Sequence, residues 1–291
     1  MDYGLVLPNL GAGASPEGLL AAAEAAEDHG FTDIWTTDHV LIDRENASDY
    51  GRLFEAITTL AWLAGHSRVI RLGTSVIVVP MRNAVVLAKE LATVDALSGG
   101  RLIAGFGVGW NTKEFGNVGM SDRFHQRGAY LEETIAVCRH LWSGTEAPFH
   151  GRFHDFEDYT FEPLPAQGAD LPIWLGAREE RALRRVGRLA DAYHASATKP
   201  AVYATRIPII RAAAEAAGRP MPRLSARARV ELGAGGESFY TMHGDAADVA
   251  AEIRAFAELG VDHIALAFPA RDPDGIRRAV ERFVAEVLPL V

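Results

Sequence analysis

A histidine directly after a short apolar strand is the residue of this sequence best placed to move protons. The predicted strand runs from residue 33 to 37, and Asp38 and His39 follow it. The unperturbed pKa of histidine is about 6.5, so its side chain can take up or release a proton near neutral pH. His39 is therefore the candidate catalytic acid or base. Asp38 is predicted to orient His39 or to contact a bound ring.

A second group of candidates lies where the predicted strand 101–107 ends in a glycine-rich stretch. Glycine lets the backbone approach a ligand closely, so we expect Gly107, Trp110 and Asn111 to contact a planar cofactor. The glycine spacing does not match a dinucleotide-binding fingerprint, and no helix is predicted to open at the third glycine. A nicotinamide-type nucleotide site is therefore disfavoured.

A candidate phosphate site follows the predicted strand 172–175. Gly176, Ala177 and Arg178 come next and are predicted to open a helix. The first turn of a helix presents free N–H groups and a positive dipole end, which together favour phosphate. Arg178 could add a charged hydrogen bond to the same group.

Short apolar strands alternate with longer amphipathic helices along the whole chain, which is typical of parallel strands joined by helices. About eight such units are present, the number that closes a (β/α)8 TIM barrel. We expect one α/β domain over residues 1–291. Residues 111–170 are predicted to be an insertion after strand 4, at the catalytic end, with one helix near residues 126–141. The predicted strands are 3–8, 33–37, 71–79, 101–107, 172–175, 192–195, 224–232 and 263–268, and the other helices are 16–29, 53–64, 84–97, 178–189, 201–217, 245–259 and 273–288.

Composition excludes several classes of protein. The net charge of −9 gives no basic surface for nucleic acid, and no apolar run is long enough to cross a membrane. The N-terminus lacks the basic region of a signal peptide, so a cytoplasmic enzyme is expected. The single cysteine, Cys138, has apolar neighbours and is predicted to lie in the core.

Two other kinds of site are disfavoured by the sequence. His150, His154 and Asp155 have metal-like spacing, but they lie among phenylalanines in a predicted hairpin and lack a convincing further ligand. No Gly-x-Ser-x-Gly elbow supports a serine hydrolase. We therefore expect no metal site.

The sequence resembles the luciferase-like monooxygenase superfamily, and within it the branch of oxidoreductases that depend on the deazaflavin coenzyme F420. The resemblance rests on five motifs. They are Trp35-Thr-Thr-Asp-His39, Leu72-Gly-Thr-Ser-Val76, Ala88-Lys-Glu-Leu-Ala-Thr-Val-Asp-Ala-Leu-Ser-Gly-Gly-Arg-Leu102, Gly105-Phe-Gly-Val-Gly-Trp-Asn111 and Pro172-Ile-Trp-Leu-Gly176.

The resemblance implies a function for several of these positions. It implies a histidine, here His39, that exchanges a proton with the substrate while a hydride moves to or from F420. It also implies a cis peptide between Ser75 and Val76 behind the cofactor ring, and a phosphate-binding lysine at Lys199. Enzymes of this kind usually form homodimers.

The sequence also departs from the sugar-phosphate dehydrogenases of that branch. Those enzymes carry a tryptophan shortly after the histidine and a glutamate after the glycine-rich strand, where this chain has Asp43 and Trp110. The resemblance therefore implies a different substrate pocket, and Phe115, Arg123 and Phe124 are predicted to shape it.

Two alternatives to an F420-dependent reductase or dehydrogenase stay open at this point. One is a two-component monooxygenase that uses reduced FMN, and the other is a barrel that binds a flavin without catalysis. Retained phosphate-binding residues would disfavour the second alternative.

Overall fold

Eight parallel strands form a closed barrel in the computed structural model, which describes residues 1–233 and 240–291. Each strand pairs with the next one along the chain, and the last pairs with the first, as the prediction of a TIM barrel requires. The barrel strands are β1 (Asp2–Val6), β2 (Asp33–Thr36), β3 (Arg71–Thr74), β4 (Leu102–Gly107), β5 (Ile173–Leu175), β6 (Ala192–Ser196), β7 (Arg223–Leu232) and β8 (His263–Ala267).

One helix follows each barrel strand before the next strand begins. These helices are α1 (Pro16–Asp28), α2 (Ala56–Ala64), α3 (Ala84–Ser98), α4 (Arg127–Trp142), α5 (Glu180–Leu189), α6 (Pro200–Ala216), α7 (Ala246–Glu258) and α8 (Pro273–Glu286). The smaller elements are the helices Ala47–Tyr50 and Thr112–Asn117, the short strands Ile77–Val78 and Thr241–Gly244, the hairpin Phe149–His150 with Asp155–Phe156, and the 3-10 turns Arg44–Asn46, Val79–Met81, Ser121–Gln126, Gly168–Asp170 and Leu288–Leu290.

Local sequence explains where several of these helices begin. Ser15, Asn83, Asp245 and Asp272 precede α1, α3, α7 and α8, and the side chain of each accepts a hydrogen bond from an N–H of the first turn. Such caps satisfy N–H groups that have no partner inside the helix. The predicted starts of these helices are therefore accurate to within one residue.

The segment predicted as an insertion contains a helix of the barrel. The helix α4 packs against both α3 and α5, so it fills the fourth position of the outer ring. The additional chain consists of residues 111–126 before α4 and residues 143–170 after it. The predicted hairpin lies in the second of these pieces.

The core forms in two layers, one inside the barrel and one between the barrel and its helices. The interior cluster comprises Val6, Trp35, Ile103, Trp174, Ala192 and Ala265. Cys138 lies in the outer layer with no exposed surface, as predicted, and burial raises the pKa of its thiol to about 12. None of the helices within the described ranges is both long and apolar enough to cross a membrane.

Candidate active site

His39 lies at the carboxyl end of β2 and is paired with a buried carboxylate. Its Nδ1 is 2.8 Å from Oε2 of Glu114, and Oε1 of Glu114 accepts the backbone N–H of Val40 at 2.6 Å. Both side chains are nearly buried, with His39 7% and Glu114 1% exposed. The structure thus provides the predicted proton-transfer residue with a carboxylate partner.

The charge of Glu114 determines which nitrogen of His39 is free to react. Burial alone would raise the pKa of Glu114, but the hydrogen bonds from His39 and Val40 lower it below its usual value. An ionised Glu114 accepts the Nδ1–H of His39, which leaves the hydrogen-free nitrogen at Nε2. In the part of the chain that the structure describes, Nε2 makes no hydrogen bond. This nitrogen is therefore available to a ligand.

Aromatic rings form a wall beside His39. The ring of Tyr50 is centred 4.6 Å from the imidazole, and the ring of Trp110 is centred 6.1 Å from it. Trp110 is 54% exposed, as expected for a side chain at the rim of an open pocket. A cavity beside His39 is lined by Tyr50, Leu41, Ile42 and other residues of the loop after β2. Tyr50 and Trp110 therefore supply an aromatic surface next to the reactive histidine.

The predicted non-proline cis peptide is present between Ser75 and Val76. It lies at the carboxyl end of β3, and the Ser75 side chain is fixed by a 2.7 Å hydrogen bond between its Oγ and Nε2 of His194. Arg227 donates to the Ser75 carbonyl and to Thr37 Oγ1. The Ser75 N–H also donates to the Thr36 carbonyl, so Ser75 is held from β2, β6 and β7, whereas Val76 is partly exposed at the barrel mouth.

The glycines of β4 make close contacts within the chain. A Cβ on Gly105 would lie 1.7 Å from the Thr74 carbonyl oxygen, and one on Gly107 would lie 2.5 Å from Cγ2 of Val76. The chain's own segment 74–78 thus makes the close approach that was predicted for a ligand. Gly107 leaves space for the side chain that follows the cis peptide.

Asp38 and Asn111 serve to join loops. Asp38 accepts hydrogen bonds from Val78 N–H at 2.8 Å and from Arg82 at 2.7 Å, so its bonds do not go to the His39 ring. Asn111 caps the helix Thr112–Asn117 and donates to Asp43 at 2.5 Å. The alternative that Asp38 orients His39 is wrong, because Glu114 occupies that position.

The insertion residues predicted to shape the pocket pack beneath it. Phe115 is 1% exposed and stacks edge-on against Phe124. Arg123 donates to the backbone carbonyls of Pro80 and Arg82. Phe115 and Phe124 pack with Val78 and Met81 and so support the segment after the cis peptide, and their predicted part in shaping the substrate pocket stays a prediction.

The predicted phosphate site is only partly assembled from the expected groups. The N–H of Gly176 donates to the Phe106 carbonyl, and α5 begins at Glu180, so Gly176 does not open the helix. Ala177 accepts a hydrogen bond from the Tyr193 hydroxyl through its carbonyl oxygen. The side chains of Arg178 and Lys199 are exposed, and Lys199 occupies the N-cap position of α6 without a side-chain capping bond. These two cations follow adjacent strands at the same end of the barrel.

The histidines of the hairpin are paired with carboxylates. His150 is 2.8 Å from Asp155, and His154 is 3.0 Å from Glu133. Across residues 1–233 and 240–291, no three His, Cys, Asp or Glu side chains form a group that could hold a metal ion.

Sequence reasoning missed Glu114, Tyr50, Arg227 and His194. Glu114 follows the cap residue Asn111 by three positions, which is the pattern of a helix cap and carries no sign of a distant partner. A signal for Arg227 was present, because polar residues recur at every second position of β7 from Ser225 onward. Period-two polarity in a barrel strand indicates side chains that face one side of the sheet.

Comparison with known proteins agrees with this fold. Residues 1–235 match the sequence model of a family described as luciferase-like monooxygenase. An F420-dependent glucose-6-phosphate dehydrogenase of Nakamurella multipartita is 32% identical over 217 residues, which cover 72% of this chain and 61% of that protein.

Two solved structures have a closely similar fold. An F420-dependent secondary alcohol dehydrogenase in complex with an F420–acetone adduct superposes with a TM-score of 0.84 at 18% identity, covering 100% of this chain and 98% of the other. A type II Baeyer–Villiger monooxygenase of Pseudomonas putida in complex with FMN superposes with a TM-score of 0.81 at 14% identity, covering 100% and 99%. Because the family match extends over most of the sequence, this chain belongs to the luciferase-like monooxygenase family.

Proposed function

We propose that this protein is an F420-dependent oxidoreductase that moves a hydride between the deazaflavin and a small organic substrate. The observation that carries the proposal is the His39–Glu114 pair, whose free Nε2 lies beside an aromatic wall at the catalytic end of the barrel. The name of the 32% identical relative and that of the alcohol dehydrogenase of similar fold support F420 as the cofactor.

The residues at the barrel mouth fit a planar anionic cofactor. Val76 offers an apolar surface on a segment that three other strands hold in place. Arg227 has no carboxylate partner among the described residues, and its buried Nε is without a hydrogen bond there. Burial lowers its pKa to about 10, so its positive charge persists at neutral pH. That charge suits a ring system that gains electron density on reduction.

The exposed cations Arg178 and Lys199 would bind the phosphate of the cofactor's side chain. A charged hydrogen bond to phosphate does not require the N–H of Gly176, which is already bonded within the barrel. Ser75, Val76 and Trp110 are the remaining proposed contacts. Gly107 acts through Val76, and Asn111 acts through the position of Glu114.

When bound, the deazaflavin supplies the carbon that accepts or gives up the hydride. The protein's own task is to move the matching proton. His39 Nε2 accepts the proton of a substrate hydroxyl as the alcohol is oxidised, and the resulting imidazolium is stabilised by the Glu114 carboxylate 2.8 Å from Nδ1. In the opposite direction the imidazolium returns the proton. The loop 40–53 lines the cavity on this side of the histidine.

The second candidate is a monooxygenase that uses reduced FMN. The Baeyer–Villiger monooxygenase of similar fold, solved with FMN, favours it. A deazaflavin lacks the ring nitrogen that lets a reduced flavin react with oxygen, so the two candidates predict different chemistry. The non-catalytic barrel is disfavoured by the intact histidine–carboxylate pair.

Steady-state assays separate these candidates. We expect oxidised F420 to be reduced by one or more alcohols, or reduced F420 to be oxidised by ketones, enones or imines, and we expect His39→Asn to abolish that turnover. Oxygen consumption with supplied reduced FMN, and no turnover with F420, would contradict the proposal. The homodimer and the cytoplasmic location remain predictions, the first of which light scattering would test.

A further inference from the structure

A continuous chain of hydrogen bonds leads from the cis peptide into the barrel interior. Ser75 Oγ is 2.7 Å from His194 Nε2, and His194 Nδ1 is 2.7 Å from Ser225 Oγ. The same Ser225 Oγ is 2.7 Å from His263 Nδ1, and His263 Nε2 is 2.9 Å from Asp33 Oδ1. None of the five side chains is more than 5% exposed. We refer to them as the Ser75–Asp33 chain.

All four contacts of this chain can be hydrogen bonds when His263 is charged. His263 then donates through Nε2 to Asp33 and through Nδ1 to Ser225. The Ser225 hydroxyl donates to His194 Nδ1, and His194 donates through Nε2 to Ser75. The Ser75 hydroxyl hydrogen remains free to bond with a ligand.

All four contacts can also be hydrogen bonds when His263 is neutral. Donor and acceptor then exchange roles in each bond between Ser75 and His263, whereas the bond from His263 to Asp33 is unchanged. His263 keeps its hydrogen at Nε2, on Asp33, and accepts the Ser225 hydroxyl at Nδ1. Ser225 then accepts from His194 Nδ1, and His194 Nε2 accepts the hydroxyl of Ser75. The two arrangements differ by one proton, and the hydroxyl hydrogen of Ser75 is the one donor of the chain that lacks an acceptor within it when His263 is charged.

The surroundings favour exchange between these two arrangements. Burial is the main cause that lowers the pKa of His194 well below its ordinary value, so His194 stays neutral and changes only the nitrogen that carries its hydrogen. Burial would raise the pKa of Asp33, but His263, Thr32 and Trp35 lower it, so Asp33 remains a carboxylate.

Other charged groups face the chain from the neighbouring strands. Arg227 of β7 lies near His194, and Arg71 of β3 interacts with Asp33. Arg223 lies over the ring of Trp174, which packs against His263.

We infer that the Ser75–Asp33 chain is a proton relay that links His263 in the barrel interior to the hydroxyl of Ser75 at the cofactor face. The relay passes a proton from His263 Nδ1 to Ser225, from Ser225 to His194 Nδ1, from His194 Nε2 to Ser75, and from Ser75 to a ligand. His263 loses one proton and the ligand gains one, and the reverse sequence restores the charge on His263. The ligand's identity as F420 rests on the proposed function, whereas the relay itself does not.

The relay can be tested on the ligand-free protein. Imidazole ¹⁵N NMR distinguishes a ring nitrogen that carries hydrogen from one that does not. We expect His194 to move its hydrogen from Nδ1 to Nε2 over the same pH interval in which His263 gains a proton. Independent behaviour of the two rings, or a His263 that keeps one protonation state wherever the protein is folded, would overturn the relay.

Substitution of the middle residue tests the connection. In Ser225→Ala the His194 hydrogen should no longer follow the protonation of His263, because no hydroxyl joins the two Nδ1 atoms. Ser98→Ala is the matched control, since Ser98 is also a buried serine whose hydroxyl bonds only to the backbone. The control should preserve the coupling. Coupling that persists in Ser225→Ala would overturn the assignment of Ser225.

Cofactor binding adds a separate readout. If reduced F420 receives its proton from His263, its Kd should not depend on pH while His263 is charged in the free protein, and it should rise about tenfold per pH unit once His263 is neutral there; Ser225→Ala should remove this break. Failure of F420 to bind would refute the proposed function and leave the NMR result standing. Binding with uncoupled histidines would refute the relay alone.

Discussion

Replacement of Glu114 by glutamine gives the sharpest prediction for the active site. Glu114 accepts two hydrogen bonds, from His39 Nδ1 at 2.8 Å and from the Val40 N–H at 2.6 Å. A glutamine in the same position must direct its carbonyl oxygen at Val40, because a backbone N–H can only donate. Its amide group then donates to His39 Nδ1 and forces the hydrogen of the imidazole onto Nε2. That is the wrong tautomer for accepting a proton from an alcohol.

The size of the effect follows from the loss of the negative charge at residue 114 and from the changed tautomer of His39. A hydrogen bond to a charged group contributes about 1.5–3 kcal/mol, which corresponds to roughly 10- to 150-fold in rate. The wrong tautomer adds to this, as the loss of about 10⁴-fold in kcat of a serine protease shows when its buried aspartate becomes asparagine. We expect Glu114→Gln to lower kcat for alcohol oxidation by about 10²- to 10⁴-fold.

Glu133→Gln is the matched control. Glu133 also accepts a bond from a histidine, His154 Nδ1 at 3.0 Å, together with backbone N–H groups, but it lies beside the hairpin. We expect this variant to keep kcat within a few-fold of the wild type in the same F420-linked absorbance assay. Equal losses in both variants, or full activity in Glu114→Gln, would refute the reasoning.

Three further predictions concern the cis-peptide segment, the phosphate site and acid stability. Gly107→Ala places a Cβ 2.5 Å from Val76 and should lower the free energy of unfolding, measured in urea, by about 1–3 kcal/mol. Gly176→Ala, whose Cβ has its nearest atoms at 3.6 Å, should lower it by less. Lys199→Ala should raise the Kd of F420, measured by equilibrium titration, about tenfold and leave kcat unchanged. Arg181→Ala, which removes an exposed cation of α5, should leave this Kd unchanged. Folding lowers the pKa of Glu114, so its contribution to stability is present above about pH 4.3 and is lost at lower pH. Glu114→Gln should therefore flatten the pH dependence of the unfolding free energy below about pH 4.3.

The barrel could be predicted because its signals are local and repeat along the chain. Strands such as β4 and β5 are apolar throughout, as strands covered on both faces must be, and amphipathic helices lie between them. The caps at Ser15 and Asn83 marked helix starts for the same local reason. The cis peptide at Ser75 was predicted from family resemblance alone.

The active-site partners could not be predicted because they meet only in the folded chain. His39 and Glu114 are 75 residues apart, and Ser75 and His194 are 119 residues apart. Nothing in the sequence around Glu114 distinguishes it from a residue of an ordinary helix cap. Its pairing depends on the direction in which the loop after β4 turns toward β2.

The glycines show how a correct local rule can identify the wrong neighbour. Close backbone approach was rightly inferred at Gly107, but the approaching group is Val76 of the same chain. At Gly176 the N–H was predicted to bind phosphate, yet it completes the pairing with β4 through Phe106. In both cases the geometry of the barrel, and not the residue type, determines the partner.

Comparison of F420 with FMN as ligands of this protein is the most direct test of the proposed function. The unfolding temperature of the protein is measured with oxidised F420 and with FMN at matched concentrations, each up to a large excess. A ligand at a hundred times its Kd stabilises the native state by about 2.7 kcal/mol, which such a measurement detects readily. We expect stabilisation by F420 and little or none by FMN. Stabilisation by FMN alone would contradict the proposed function.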